Sequence, residues 1–221
     1  LVHLSFTTAF TNTVVNTLTV NGVQDNSLNT LAAGTTNFTY LVPITLGYHD
    51  IVINEIFADP SPVINLTNAE FVELYNRSSN TLNLNGLKLA DSYTATGATL
   101  GNYTMPPNSY IIICPVSDTA QFTALGYLNK LGVSSFPSLN NTGDNIYLKT
   151  NAGIFIDSVS YKDTWYKDAV KKNGGYSLEL INPNLNFNCS PVNNWIASND
   201  ANGGTPGFMN SVYSIAPDVT A

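Results

Sequence analysis

Four carboxylates, Glu55, Asp59, Glu70 and Glu73, fall within 19 positions of one another. Two chemistries use carboxylates gathered in this way. Hard cations such as calcium take several oxygens from loop carboxylates and carbonyls, and Asp59 and Glu70 would be the ligands. Paired carboxylates also hydrolyse glycosidic bonds. The calcium reading lacks a D-x-D-x-D loop and a glycine at the sharp turn. The glycosidase reading lacks surrounding residues that would make a cleft or a sugar platform. A third use fits Glu55 and Glu73 better: a strand carboxylate accepts backbone N–H bonds from an adjoining loop and satisfies donors that would otherwise be buried unpaired. No cofactor is expected, with calcium at Asp59 and Glu70 as the one alternative.

Other chemistries lack their parts. There are two histidines, His3 and His49, and no H-x-x-x-H, Cys–His cluster or G-x-S-x-G, so zinc chemistry and an elbow nucleophile are not supported. The "GGTPG" stretch at 203–207 follows a loop and opens no helix, which argues against a phosphate cradle. These absences predict a protein without catalytic residues.

The second concentration of chemistry is "YKDTWYKDAVKK", residues 161–172, which holds Lys162, Lys167, Lys171 and Lys172, four of the eight basic residues. Interleaved with Tyr161, Trp165 and Tyr166, they form a candidate strip for stacking on a glycan or gripping a protein partner. The strip reading requires Trp165 and Tyr166 to be exposed, and that is the expectation. Asp163 and Asp168 offset two of the four charges, and the competing reading is a solvated loop whose aromatics close one end of the fold. A net charge of −7 repels phosphate backbones, so no nucleic acid is expected as a partner.

The elements that position these residues are short. Turn signals such as "DPSP", "NLNG", "MPPNS", "NNTGDN", "KNGG" and "GGTPG" recur every 8 to 15 residues. Between them lie β-branched and aromatic runs: "IVINEIF", "EFVELYN", "SYIIIC", "NIYLKT", "IFIDSVSY" and "YSLELI". Such spacing predicts an all-β sandwich or barrel. In "FVELY", Phe71, Glu73 and Tyr75 share one face and Val72 and Leu74 the other. Residues 144–161 read as a hairpin turning at Asn151-Ala152-Gly153. The one helix candidate is 118–128, capped by Asp118, with Phe122, Leu125 and Leu128 as its apolar stripe. Trp195 reads as a core plug. Only 10% of residues are charged, against roughly 25% in typical soluble proteins, so Asn, Thr, Ser and Tyr are expected to do the solubilising. No apolar run approaches the roughly 20 residues of a membrane-spanning helix, so no transmembrane segment is expected.

Taken in order, "IVINEIFADPSP…AEFVELYNRSSNTLNLNGLKLAD", "SLNNTGDNIYLKTNAGIFIDSVSY", "GGYSLELINPN", "NW" and "GGTPGFMNS" resemble the lamin tail domain in its bacterial extracellular form. The resemblance implies an immunoglobulin-like β-sandwich over 48–212, with no catalytic residues to carry over. Residues 1–47 resemble the closing strands of a bacterial Ig-like surface repeat followed by a linker, a short N-terminal β segment, and 213–221 read as a linker tail. The implied function is a non-enzymatic structural, adhesive or protein-interaction module of a secreted or cell-surface bacterial multidomain protein, beside other Ig-like modules of the same parent chain. The alternative is a carbohydrate- or ligand-binding accessory domain attached to an extracellular enzyme. Cys114 and Cys189 both follow or end strands near one sandwich edge, and a disulfide between them is expected in an oxidising compartment; closing a loop of about 75 residues would add roughly 4–5 kcal/mol.

Overall fold

The structure is a computed structural model and describes residues 3–11, 14–40, 44–91, 97–185 and 191–215. The chain divides into two compact units, Leu1–Thr45 and Leu46–Ala221.

The first unit is an antiparallel hairpin of β1 (Val15–Val20) and β2 (Gly34–Thr39). Register sets Leu18 opposite Thr36 and Asn16 opposite Phe38. Alternation then collects Leu18, Val20 and Phe38 on one face, where Phe10 meets the Phe38 ring edge-on at 4.9 Å and Phe6 at the same distance. The connecting loop is organised by Asp25, whose carboxylate accepts the Ser27 and Asn29 N–H groups.

The second unit is the sandwich. One sheet has the order β10-β9-β4-β3-β13-β14, formed by Lys130–Val133, Tyr110–Pro115, Phe71–Asn76, Ile51–Phe57, Leu178–Leu180 and Trp195–Ala197. The facing sheet has the order β12-β11-β6-β7, formed by Phe155–Lys162, Gly143–Lys149, Lys88–Ala90 and Ala98–Thr99. A small ladder joins β5 (Leu82–Asn83) to β8 (Thr104–Met105). Between the two sheets lies one apolar core, to which Ile53, Leu74, Ile111, Ile113, Leu178 and Trp195 come from the first, and Leu89, Ile146, Leu148 and Val159 from the second.

Local chemistry explains the irregular points. In β3 the pairing runs Ile53 to Leu74 and then Glu55 to Glu73, which leaves Asn54 as the extra residue of a bulge. The bulge re-phases the strand, so Ile53 before it and Ile56 after it both reach the core. The predicted hairpin forms, with β11 and β12 joined through Gly153 at φ +82°. The predicted helix is shorter than 118–128. A 3-10 turn at Val116–Asp118 leads into α1 (Thr119–Ala124), and the Asp118 side chain caps nothing. Gly126 takes φ +86° and stops the helix, so the expected stripe reduces to Phe122, while Leu125 and Leu128 are exposed. Phe122 packs with Phe57, Phe71, Ile112 and Cys114 in a second cluster on the far face of the six-stranded sheet.

At one end of the sandwich the turn after β3 meets two glycine-bearing loops. The Gly175 N–H donates to the Asp59 carbonyl (2.8 Å), and the Ser177 N–H to the Gly203 carbonyl (2.7 Å). A Cβ on Gly175, which sits at φ +77°, would overlap the Pro62 carbonyl oxygen and the Ile64 side chain. Gly153 also has positive φ but faces open space. Gly175→Ala is therefore expected to cost about 3 kcal/mol or more, and Gly153→Ala only about 1 kcal/mol, the backbone penalty alone. Paired thermal denaturation of the two variants measures the difference.

Candidate functional site

Register places Glu55 opposite Glu73 on one side and opposite Glu179 on the other. Three carboxylates thus form a row across β13, β3 and β4; Glu73 lies between core-facing Val72 and Leu74 and Glu179 between core-facing Leu178 and Leu180, so the row is on the sheet's outer face. All three side chains are 0% exposed. What covers them is the stretch 203–212. Thr205 N–H donates to Glu55 Oε1 (2.9 Å), and Gly207 N–H donates to Glu73 Oε2. Glu179 accepts Thr205 Oγ1–H (2.9 Å) on Oε1, and Ser211 Oγ–H (2.7 Å) and Val212 N–H (3.2 Å) on Oε2. The bulge residue Asn54 donates to Glu73 Oε1 and to Asn210 Oδ1, both at 2.8 Å. Asn210 in turn donates to the Asn54 and Leu180 carbonyls. The reading of Glu55 and Glu73 as acceptors for loop N–H groups holds, and Glu179 joins them.

Electrostatics divides the row. Burial, then the Glu73 and Glu179 charges, push Glu55 well above the ordinary carboxylate range. Burial likewise pushes Glu73 up to about 8, although the Gly207 and Asn54 donors oppose it. Glu73 has donors on both oxygens, whereas Glu55 accepts a loop N–H on Oε1 alone, and the Ser177 hydroxyl beside the Glu55 carboxylate pulls its pKa down against the burial. Burial and the two neighbouring carboxylates thus favour the neutral acid at Glu55, with the Ser177 hydroxyl and the Thr205 N–H opposing them.

The other sequence candidates are dispersed. Glu70 is half-buried, pushed up by burial and, less, by Asp144 and Asp59, and one of its oxygens accepts the Leu139 N–H. Among the described residues no three histidine, cysteine or acidic side chains converge on a point that could hold a metal ion. In the lysine strip, Trp165 and Tyr166 are 7% and 4% exposed and belong to the main core, which corrects the expectation that they are open to solvent. A 3-10 turn at Asp163–Tyr166 rolls both rings inward from the end of β12. Lys171 is tied down: its Nζ donates to the Ser198 carbonyl (2.6 Å) and Asn199 Oδ1 (3.1 Å) and lies over the Tyr176 ring. Lys162, Lys167 and Lys172 remain exposed, without an aromatic platform among them. Cys114 is a free, buried thiol, pushed up to about 11 chiefly by burial; Cys189 lies outside the described residues.

One site was not anticipated. A cavity of about 200 Å³ opens where the two sheets part, between β12 and the β3–β13–β14 side of the other sheet, with Val52, Val159, Leu180 and Trp195 as its apolar walls. At its rim His49 Nε2 stands 3.2 Å from Asp157 Oδ1, and the Tyr48 ring stacks on His49. Asp157 also accepts the Ile53 and Ser158 N–H groups, which ties the two sheets together. The available signal was an acid at a core-facing position of "IFIDSVSY", where period-2 alternation calls for an apolar residue.

Two sheets packed around one apolar core form an all-β sandwich of the immunoglobulin-like class. The family model of the lamin tail domain matches residues 46–163, and the chain belongs to that family. Its members are Ig-like domains that generally serve as protein-interaction modules and are generally non-catalytic. Neither curated proteins nor solved structures give a match to this chain.

Two outcomes follow from the buried groups. Glu55 and Glu73 have folded-state pKa values raised above the unfolded ones, so the stability they contribute is fully present below the unfolded value, near 4.5, and is lost as pH rises toward and past about 8. The thermal midpoint should fall across this window. Glu55→Gln, which mimics the neutral acid, should flatten the decline and be near neutral at low pH. Glu73→Gln should cost about 1–3 kcal/mol at every pH, because its new amide faces existing donors. Separately, Trp165→Ala should lose about 3–5 kcal/mol in denaturant unfolding, as a core deletion does.

Proposed function

We propose that the chain is a non-enzymatic interaction or adhesive module of a secreted or cell-surface bacterial multidomain protein, set beside other Ig-like modules of its parent chain. Family membership and the sandwich support the interaction role. The observation that carries the non-catalytic reading is the use made of the carboxylates. Glu55, Glu73 and Glu179 are sealed beneath the 203–212 stretch with their oxygens turned to loop donors. A general acid or nucleophile must reach a substrate atom to about hydrogen-bond distance, and these three reach only the protein. The secreted or cell-surface setting rests on the resemblance of the sequence motifs to the bacterial extracellular form of the domain; Cys114, a free thiol, adds nothing to it. The accessory carbohydrate-binding reading loses its platform with the burial of Trp165 and Tyr166.

The purified chain should show no turnover on phosphoester, peptide and glycoside panels. Reproducible turnover that disappears in Glu55→Gln or Glu73→Gln would overturn the non-enzymatic reading.

A further inference from the structure

Among the described strands, one long one lies at a sheet edge. In the four-stranded sheet β12 lies outermost, eight residues long, with β11 on one side only. In the other sheet the outer strands are the four-residue β10 and the three-residue β14, and the far edge of the first is the two-residue β7.

Which backbone groups of β12 face outward follows from its register. Asp163 N–H donates to the Thr142 carbonyl, the ladder bond just beyond the strand's end. Alternation from that pair directs the backbone groups of Tyr161, Val159 and Asp157 toward β11, and those of Lys162, Ser160 and Ser158 outward. At the other end the outward Ile156 carbonyl already accepts the His49 N–H at 2.7 Å. The chain before β3 therefore makes one strand-like bond to this edge at Ile156. The Ser158 N–H is satisfied by the Asp157 carboxylate (2.7 Å). Among the described residues no other backbone group bonds the Ser158 carbonyl, either backbone group of Ser160 or the Lys162 N–H, and these are presented in a line.

Edge strands are ordinarily blunted by proline, charge, bulges or brevity. Here the bulge sits at Ile156, ahead of the open stretch, and the exposed side chains along it are Ser158, Ser160 and, only at its end, Lys162. Immediately inside the same stretch lies the 200 Å³ cavity, whose wall includes Ser158, Val159 and Ser160. Its volume suits one aliphatic side chain, and its apolar walls leave the Asp157 carboxylate already paired with His49 and two backbone N–H groups.

Resting on the protein-interaction reading above, we infer that the Ser158–Lys162 edge of β12 is a strand-addition site for an extended peptide segment of a partner protein, whose backbone bonds Ser158, Ser160 and Lys162 while one aliphatic side chain enters the cavity beside Trp195. The occupant must be extended, because only a β backbone repeats its donors and acceptors at the spacing this edge offers. The peptide's next side chains point away, so the site selects at one position and is tolerant at its neighbours.

The test begins with a displayed library of random decapeptides selected on the full chain. Recovered peptides should shift the backbone amide resonances of Ser160 and Lys162, and should carry an aliphatic residue at a common position. N-methylation at alternate peptide amides should abolish binding in one register and be tolerated in the other. Ser160→Pro removes the outward N–H along with the hydroxyl that donates to Asn145 Oδ1 (2.6 Å); measured against Ser160→Ala, which loses the hydroxyl alone, it should weaken binding about tenfold or more. If that variant does not fold, the N-methyl series on the unaltered chain decides alone. Recovery of no peptide, or of peptides indifferent to both N-methylation and Ser160→Pro, would overturn the inference. Peptides that bind elsewhere would sink the edge while leaving the interaction reading standing. A dimer of the chain that Ser160→Pro dissociates would replace the peptide with a second copy and equally overturn it.

Discussion

Three carboxylates side by side on adjacent strands, with no cation among the described residues paired to them, are the constraint around which this sandwich is arranged. Burying an ionised carboxylate without compensation costs several kcal/mol, and like charges in a row add to it. Compensation comes from two sources. The covering stretch supplies donors from Thr205, Gly207, Ser211 and Val212, and burial shifts Glu55 and Glu73 toward their neutral forms. The chain after β14 is thus held on the sheet by polar bonds, where a sandwich face more often relies on apolar cover. Next to it on the same face, Phe122 with Phe57 and Phe71 does the apolar version of that job.

Asparagine repeats the principle at smaller scale. Asn54 locks Glu73 to Asn210 from the bulge in β3. Asn76 donates to the carbonyls of Asn80, Met105 and Pro106, fastening the loops at the end of β4. The Asn194 side chain holds the Asn182 backbone twice, accepting its N–H on Oδ1 and donating from Nδ2 to its carbonyl. All five of these asparagines are nearly inaccessible. A fold made of short strands and many turns leaves numerous backbone groups without ladder partners, and short amide side chains, carrying both a donor and an acceptor, fill those places. The loops are in this way fixed to the sheets, and the exposed backbone of β12 stands on a rigid support.

What could be read from residues alone follows the same physics. Strand runs, the Gly153 hairpin and the acceptor role of Glu55 and Glu73 were legible because each depends on local pattern: alternation, a positive-φ turn, a carboxylate among apolar neighbours. Glu179 carries the same signature in "YSLELI", but only the β13–β3 pairing puts it in line with Glu55. The sequence expectation puts the asparagines in solvent, since nothing in a single sequence distinguishes a solvated amide from one that caps a buried loop. Trp165 and Tyr166 were misplaced because lysines on both sides suggested a solvated strip, while a 3-10 turn carries the rings inward and leaves most of the lysines outside. The His49–Asp157 pair and the open stretch of β12 depend on which strands end each sheet, a property of topology that periodicity does not contain.

A sheet face sealed by polar ties makes the support rigid, and on that support stands the β12 edge inferred above to take a peptide. The claim on which this rests is that the carboxylate row holds the 203–212 stretch as part of the fold. Native-state hydrogen exchange of the Thr205, Gly207 and Val212 amides at neutral pH addresses it directly. Protection comparable to that of β3 and β4 amides, lost together with them in global unfolding, is the expected result. Exchange of these three amides at the rate of an open loop, while β3 and β4 stay protected, would contradict the account.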